Sequence, residues 1–181
     1  MDCKVLIISG GIGAGKSLCS RLLEKHGVPV FDCDSRTKLL YKSSPELAAL
    51  VTEDLFTNPE ALQRLENALF PVLMQDFREW AQAQNRTLVG FESATVLSKP
   101  FFDTFGDCIL EVTAPEELRR RRVLERGGIS EESLNQRLAL QKAAPRNIAG
   151  RSLVEIRNDS SVENTEQQII NFLEYYGNRE N

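Results

Sequence analysis

The chain has 181 residues, of which 41% are hydrophobic and 27% charged, a balance that fits a single folded domain and excludes a disordered chain. A net charge of −4 speaks against nucleic acid as a partner, since such binders carry a basic surplus. Four scattered cysteines without C-x-x-C spacing, and a single histidine, His26, exclude a zinc centre and a disulfide scaffold.

Val5-Leu6-Ile7-Ile8 is apolar, β-branched and bounded by Ser-Gly-Gly, the pattern of a fully buried strand. The run is too short for a signal peptide or a membrane span, so a cytoplasmic protein without membrane contact is expected. Leu18, Leu22 and Leu23 have helical spacing over 16–25, and Gly27 ends that helix. Residues 28–31 form a second strand with Pro29 near its start. Over 58–84, Asn58 is an N-cap and Pro59 suits the first helical position. Leu62, Leu65, Leu69, Leu73, Phe77 and Trp80 form its apolar stripe, and Pro71 predicts two helices or a sharp kink. Strands follow at 87–91 and 108–112. Pro115 opens a helix that carries Glu116 and Glu117 in its first turn and ends at Gly127-Gly128. Ser130 caps another helix, ending near Ala143-Ala144-Pro145. A fifth strand spans 153–156, and Ser160-Ser161 begins a last helix.

Strands alternate with helices and are buried on both faces. This predicts an α/β fold in three layers, α/β/α, with a five-stranded parallel sheet. One domain over 1–181 is expected, with a helical insertion at about 45–86 serving as a substrate subdomain and a small lid at about 127–150.

Residues Gly10, Gly11, Ile12, Gly13, Ala14, Gly15, Lys16 and Ser17 match G-x-x-x-x-G-K-[ST], between a buried strand and a helix. Glycines let backbone N–H groups converge on an anion, and the helix adds its positive end. Residues Gly11 to Leu18 are therefore the expected nucleotide-binding set. Lys16 is a cation for the β- and γ-phosphates, and the Ser17 hydroxyl is a hard ligand for Mg²⁺. A glycine-rich turn without a ligand is the alternative. No N-K-x-D motif is present, which argues against a switching GTPase. The third strand ends in Glu92 rather than the Asp usual in motor ATPases. Asp32 and Asp34 close the second strand at the edge facing the same crevice. One is expected to orient an acceptor hydroxyl and take its proton, the other to cap the next helix.

The run G-G-I-G-A-G-K-S, followed by F-D-C-D, resembles the dephospho-coenzyme A kinase family, a group of P-loop kinases. The similarity continues through Leu55-Phe56-x-Asn58-Pro59, 65–71, Thr113-Ala114-Pro115-Glu116, Arg122-x-x-x-Arg126, Arg137-x-x-x-Gln141 and Ile156-x-Asn158. It implies that ATP phosphorylates the ribose 3′-hydroxyl of dephospho-coenzyme A, with Mg²⁺. It also implies that Asp34 is the base, that Lys16 stabilises the transferring group, and that Arg122 and Arg126 clamp phosphates; Arg137 reads as a second clamp or as a surface residue of the lid. The chain departs from the family pattern on the acceptor side. Phe70 stands for a histidine, Ser98 for a glutamate that Glu92 is placed to replace, and Ser152 for an aspartate. The residues alone leave open a kinase for another nucleotide or sugar hydroxyl, or a nucleotide-binding relative with little turnover.

Arg119, Arg120 and Arg121 read as a solvated basic face paired with Glu116, Glu117 and Glu125. His26 is expected to cap a helix end. Cys19 and Cys33 lie near the loop and the Asp pair, so their alkylation is expected to inhibit indirectly. Phe101, Phe102 and Phe105 read as ordinary packing, with a cover over an acceptor pocket as the alternative.

Overall fold

The computed structural model describes residues 3–52, 55, 58–148 and 150–178. Its strands are β1 (Lys4–Gly10), β2 (Val30–Asp32), β3 (Leu88–Glu92), β4 (Cys108–Thr113) and β5 (Ser152–Arg157). The helices are α1 (Lys16–Lys25), α2 (Cys33–Ser43), α3 (Pro45–Ala49), α4 (Pro59–Gln84), α5 (Glu116–Arg126), α6 (Glu131–Ala143) and α7 (Val162–Asn178), with 3₁₀ turns at Val96–Ser98 and Pro100–Phe102. All strand pairs are parallel, in the order β2-β3-β1-β4-β5. The expected five-stranded parallel sheet is present.

The pleat sorts the side chains of β1 between two cores, because successive residues face opposite sides. Val5 and Ile7 join Phe31, Val89, Phe91 and Ile109 against Leu73, Met74, Phe77 and Ala81 of α4. Leu6 and Ile8 join Leu110, Val112 and Ile156 against Cys19, Leu22 and Leu23 of α1 and Ile169 and Phe172 of α7. The first core is rich in aromatic contacts, with edge-on pairs such as Phe91–Phe105 at 4.9 Å and Phe31–Phe77 at 5.3 Å. Phe102 is buried and Phe105 packs against the same core, whereas Phe101 is half exposed. A smaller cluster of Leu55, Ala61 and Leu65, with Tyr41 and Leu50 against it, secures the N-terminal half of α4 over α2 and α3. The C-terminal half of α4 is thus part of the main layer, and its N-terminal half stands over the carboxyl side of β2.

The expected caps are in place. Asn58 accepts from the Ala61 N–H at 3.1 Å, and the Ser130 hydroxyl accepts from Ser133 N–H at 3.2 Å. His26 is the C-cap of α1. Its Nε2 also lies 2.7 Å from Glu166 of α7, a carboxylate shared with Lys25. No helix among the described residues is long and apolar enough to cross a membrane.

At Pro71 the structure excludes one of the two alternatives, a pair of separate helices. One helix of 26 residues runs through the proline. Leu65 and Leu69 on one side, and Leu73, Met74 and Phe77 on the other, are all buried, and this continuous stripe outweighs one missing backbone hydrogen bond. Proline costs an interior helix position about 3 kcal/mol relative to alanine, and the Pro71 ring is exposed. Pro71→Ala is therefore expected to stabilise the protein by about 1–3 kcal/mol, read as a raised urea midpoint with unchanged slope. An unchanged or lowered midpoint would show that the helix has already absorbed the defect.

Candidate active site

The glycine-rich loop leaves β1 at Gly10 and enters α1 at Lys16. Its shape requires glycine at two points of close approach. Gly15 has φ +103°, and a Cβ there would collide with the Asn158 side chain. Gly13 has φ +78°, and a Cβ there would strike the backbone carbonyl of Arg119. The loop is therefore clamped from outside. Asn158 is buried beyond the end of β5 and donates from Nδ2 to the Ala14 carbonyl at 2.8 Å. Asn158 itself is fixed by its N–H to Thr113 O at 2.8 Å and by the Thr165 hydroxyl, 3.3 Å from Oδ1.

Beside the loop lies a cleft of about 510 Å³, lined by Gly13, Gly15, Lys16, Ser17, Leu18 and Arg21 on one side and Arg122, Glu125, Arg126 and Asn158 on the other. Its size falls in the usual range for a small-molecule site. Lys16 Nζ donates to Gly10 O at 3.2 Å, inside the curve of the loop. Burial lowers the Lys16 pKa, and the nearby carboxylates of Glu92, Asp34 and Glu111 oppose that shift. Glu92 is bound to the start of α1: its two oxygens accept from Ser17 Oγ at 3.1 Å and Ser20 Oγ at 2.6 Å.

Strand register explains why these acids converge. Asp32 of β2 pairs with Glu92 of β3, and Ile8 of β1 pairs with the same Glu92, so the carboxyl ends of three strands meet in one crevice. Asp32 is the N-cap of α2, accepting from Ser35 N–H at 3.1 Å and Ser35 Oγ at 2.6 Å. Asp34 stands exposed in the first turn of α2, with its charge close enough to act on Lys16. The expected cap is thus Asp32, and Asp34 is left exposed at the edge of the crevice.

Arg122 is half buried in the cleft wall, with Nη1 3.5 Å from Ala14 O. Arg126 supports it through an Nε bond to Arg122 O. Arg137 lies on α6, exposed and outside the cleft lining. Of the arginine run, Arg120 and Arg121 make the expected surface pairs, at 3.3 Å to Glu131 and 3.8 Å to Glu125. Arg119 departs from that reading, since its guanidinium packs on Gly11 with Nη1 3.5 Å from Ile12 O. Gln141 and Asn158 were visible only as parts of the family resemblance. No local spacing marks either as a loop contact, because both reach Ile12 or Ala14 across more than a hundred residues.

Mg²⁺ is a hard ion that keeps several waters and takes few protein ligands. The Ser17 hydroxyl paired with the Glu92 carboxylate fits such an ion, supplying one direct oxygen donor with an anionic partner behind it. Among the described residues no group of three His, Cys, Asp or Glu side chains forms a metal cage, so phosphate and water oxygens would complete the shell.

The thiols near the loop bear on a further expectation, inhibition by alkylation. Burial pushes the Cys19 thiol up to about 12, with Glu92 adding to it. Burial also pushes Cys33 up to about 12, with Asp34 adding to it. The thiolate is the reactive form, so alkylation of these two thiols near neutral pH is expected to be slow. Iodoacetamide at pH 8 is expected to label these two cysteines at least about a hundredfold more slowly than free cysteine, with the rate rising about tenfold per pH unit. Peptide mass mapping would measure this, and rapid labelling of folded protein at pH 8 would refute it.

Comparison with known proteins bears on the same site. The family model described as dephospho-CoA kinase matches residues 46–164. A dephospho-CoA kinase of Porphyromonas gingivalis is 34% identical over 154 residues, covering 75% of this chain and 76% of that protein. The crystal structure of TT1252 from Thermus thermophilus superposes with a TM-score of 0.78 at 26% identity, covering 97% of this chain and 98% of that one. A dephospho-CoA kinase from Campylobacter jejuni shares the fold, with a TM-score of 0.55 at 20% identity and coverage of 97% and 98%. The family-model match begins after the glycine-rich loop, so the loop and the family match are separate lines of argument.

Proposed function

Because the chain belongs to the dephospho-CoA kinase family, we propose that it transfers the terminal phosphoryl group of ATP to the ribose 3′-hydroxyl of dephospho-coenzyme A, giving coenzyme A and ADP. The observation that carries this reading is the placing of Lys16 where the phosphate loop meets the carboxylates of Glu92 and Asp34.

In this reading the backbone N–H groups of residues 11–18 and the N-terminal end of α1 cradle the phosphates of ATP. Lys16 shifts from Gly10 O onto the β- and γ-phosphate oxygens. Ser17 would hold Mg²⁺, with Glu92 anchoring the hydroxyl. The ion, when bound, neutralises charge on the phosphate oxygens. Asp34 accepts the proton of the acceptor hydroxyl as its oxygen bonds to the γ-phosphorus, and the bond from that phosphorus to the β-phosphate oxygen breaks to release ADP. Arg122, already in the cleft wall, steadies the charge on the transferring group. Arg137 reaches it only on movement of the segment at about 127–150, which is the lid in this reading. Phosphoryl transfer depends mostly on positioning and on fixed positive charge, and these residues supply both.

The decisive test is ADP release from Mg²⁺-ATP with and without dephospho-coenzyme A, with the product identified by mass. Lys16→Ala and Asp34→Ala are each expected to lower turnover at least about a hundredfold. Lys16→Ala also weakens ATP binding, whereas Asp34→Ala leaves it intact. An Asp34→Ala enzyme with full activity would remove Asp34 from the role of base. Tight ATP binding without acceptor-dependent turnover would instead favour a nucleotide-binding relative.

Lid movement has its own test. Backbone amides of 127–148 are expected to exchange with deuterium more slowly when both substrates are bound than in the free protein. Equal exchange in the two states would argue against closure.

A further inference from the structure

One limb of the phosphate loop is tied to the segment that follows α5. The Ile12 N–H donates to Oε1 of Gln141 at 2.9 Å, across 129 residues of sequence. On the carbonyl side of the same residue, in the next peptide group, Arg119 Nη1 lies 3.5 Å from Ile12 O. Gln141 is half buried on α6, one helical turn beyond Arg137. The contact therefore joins the loop to a helix of the segment 127–148.

The end of the loop concerned is identifiable from Lys16. Its Nζ lies 3.2 Å from Gly10 O, and in a loop of this type the lysine serves the β- and γ-phosphates. The limb 10–12 is therefore the limb nearest a terminal phosphate. A backbone N–H makes one well-aligned hydrogen bond. The Gln141 side-chain carbonyl and a terminal phosphate oxygen are acceptors for the same donor.

We propose that Gln141 is a positioning residue that sets how strongly the loop distinguishes a nucleoside triphosphate from a diphosphate, by competing with the terminal phosphate for the Ile12 N–H. This rests on the reading that the loop binds nucleotide. A charged phosphate oxygen is a stronger acceptor than a neutral amide oxygen, so a triphosphate displaces Gln141 and frees α6 from the loop. A diphosphate has no third phosphate to compete, and Gln141 keeps the N–H. The contact thus lowers triphosphate affinity and reports the state of the terminal phosphate to the helix that carries Arg137.

Binding of Mg²⁺-ATP and of Mg²⁺-ADP to the full chain, measured by titration calorimetry without acceptor, tests this. Gln141→Met keeps the length and helix propensity of the side chain but removes the acceptor. It is expected to tighten ATP binding about threefold to tenfold, the worth of one hydrogen bond, and to leave ADP binding within about twofold. Gln141→Glu supplies a charged acceptor and is expected to weaken ATP more than ADP. A residue that merely supports the loop would lose affinity for both nucleotides in both variants. Weaker ATP binding by Gln141→Met, or equal changes for the two nucleotides, would overturn the proposal while leaving the nucleotide reading in place. Failure of the unaltered protein to bind either nucleotide would overturn both.

Discussion

The hydrogen bond from Asn158 to the Ala14 carbonyl, 2.8 Å long and buried, is the constraint on which the site depends. A loop of glycines is costly to order, because glycine loses more conformational freedom than any other residue. Here the order is imposed by the surroundings. The end of β4 holds Asn158 through Thr113, α7 holds it through Thr165, and Asn158 in turn holds the loop. From the other side, the start of α5 closes on Gly13. The loop is thus shaped by β4, α7 and α5, brought together by the parallel sheet. Donors fixed in this way need no reorganisation when an anion arrives, which is where electrostatic stabilisation gains its strength.

The same sheet edge sets the charge balance of the site. Desolvation alone would favour a neutral Lys16, and the carboxylates of Glu92, Asp34 and Glu111 favour the cation. Glu92 has a second task, because its oxygens hold the hydroxyls of Ser17 and Ser20 and so align the first turn of α1. A glutamate at the end of β3 reaches across to α1 because β3 and β1 are adjacent and in register at Ile8. Position in the sheet makes one carboxylate both a structural partner of the helix and a neighbour of the lysine.

Much of this was legible in the sequence where the signal is local. The buried strands, the caps at Asn58 and Ser130, the glycine-rich loop and a capping aspartate at the end of β2 all follow from short patterns, and the structure shows each of them. Local reading failed where tertiary packing decides. Pro71 allows either two helices or one kinked helix, and one helix runs through it because buried side chains hold it on both sides. Helix α2 has no buried residue, so it gives no apolar stripe from which to infer its length. Arg119 shares a tetrad with Arg120 and Arg121 and differs from them only in facing the loop, which depends on how α5 is set against it. Gln141 and Asn158 are ordinary polar residues until the fold places them on Ile12 and Ala14.

The departures from the family pattern take a consistent meaning once they are located. Phe70 packs its ring 5.4 Å from Phe101 and 5.0 Å from Phe102, extending the aromatic core toward α4. The Ser98 hydroxyl donates to Thr95 O at 2.7 Å, within its own 3₁₀ turn. Ser152 is the first residue of β5 and pairs in register with Cys108. None of the three touches the glycine-rich loop, and each has a packing, turn or strand role. Charge on this side of the molecule lies instead in ion pairs with α4, Arg36 with Asp76 and Lys99 with Glu66. A partly buried pair that loses one partner leaves the other uncompensated, so these pairs also tie α4 to α2 and to the loop after β3. The phosphate loop and the wall built around α4 are therefore held by separate sets of interactions, and the departures at Phe70 and Ser98 lie on or next to that wall while the phosphate loop stays intact.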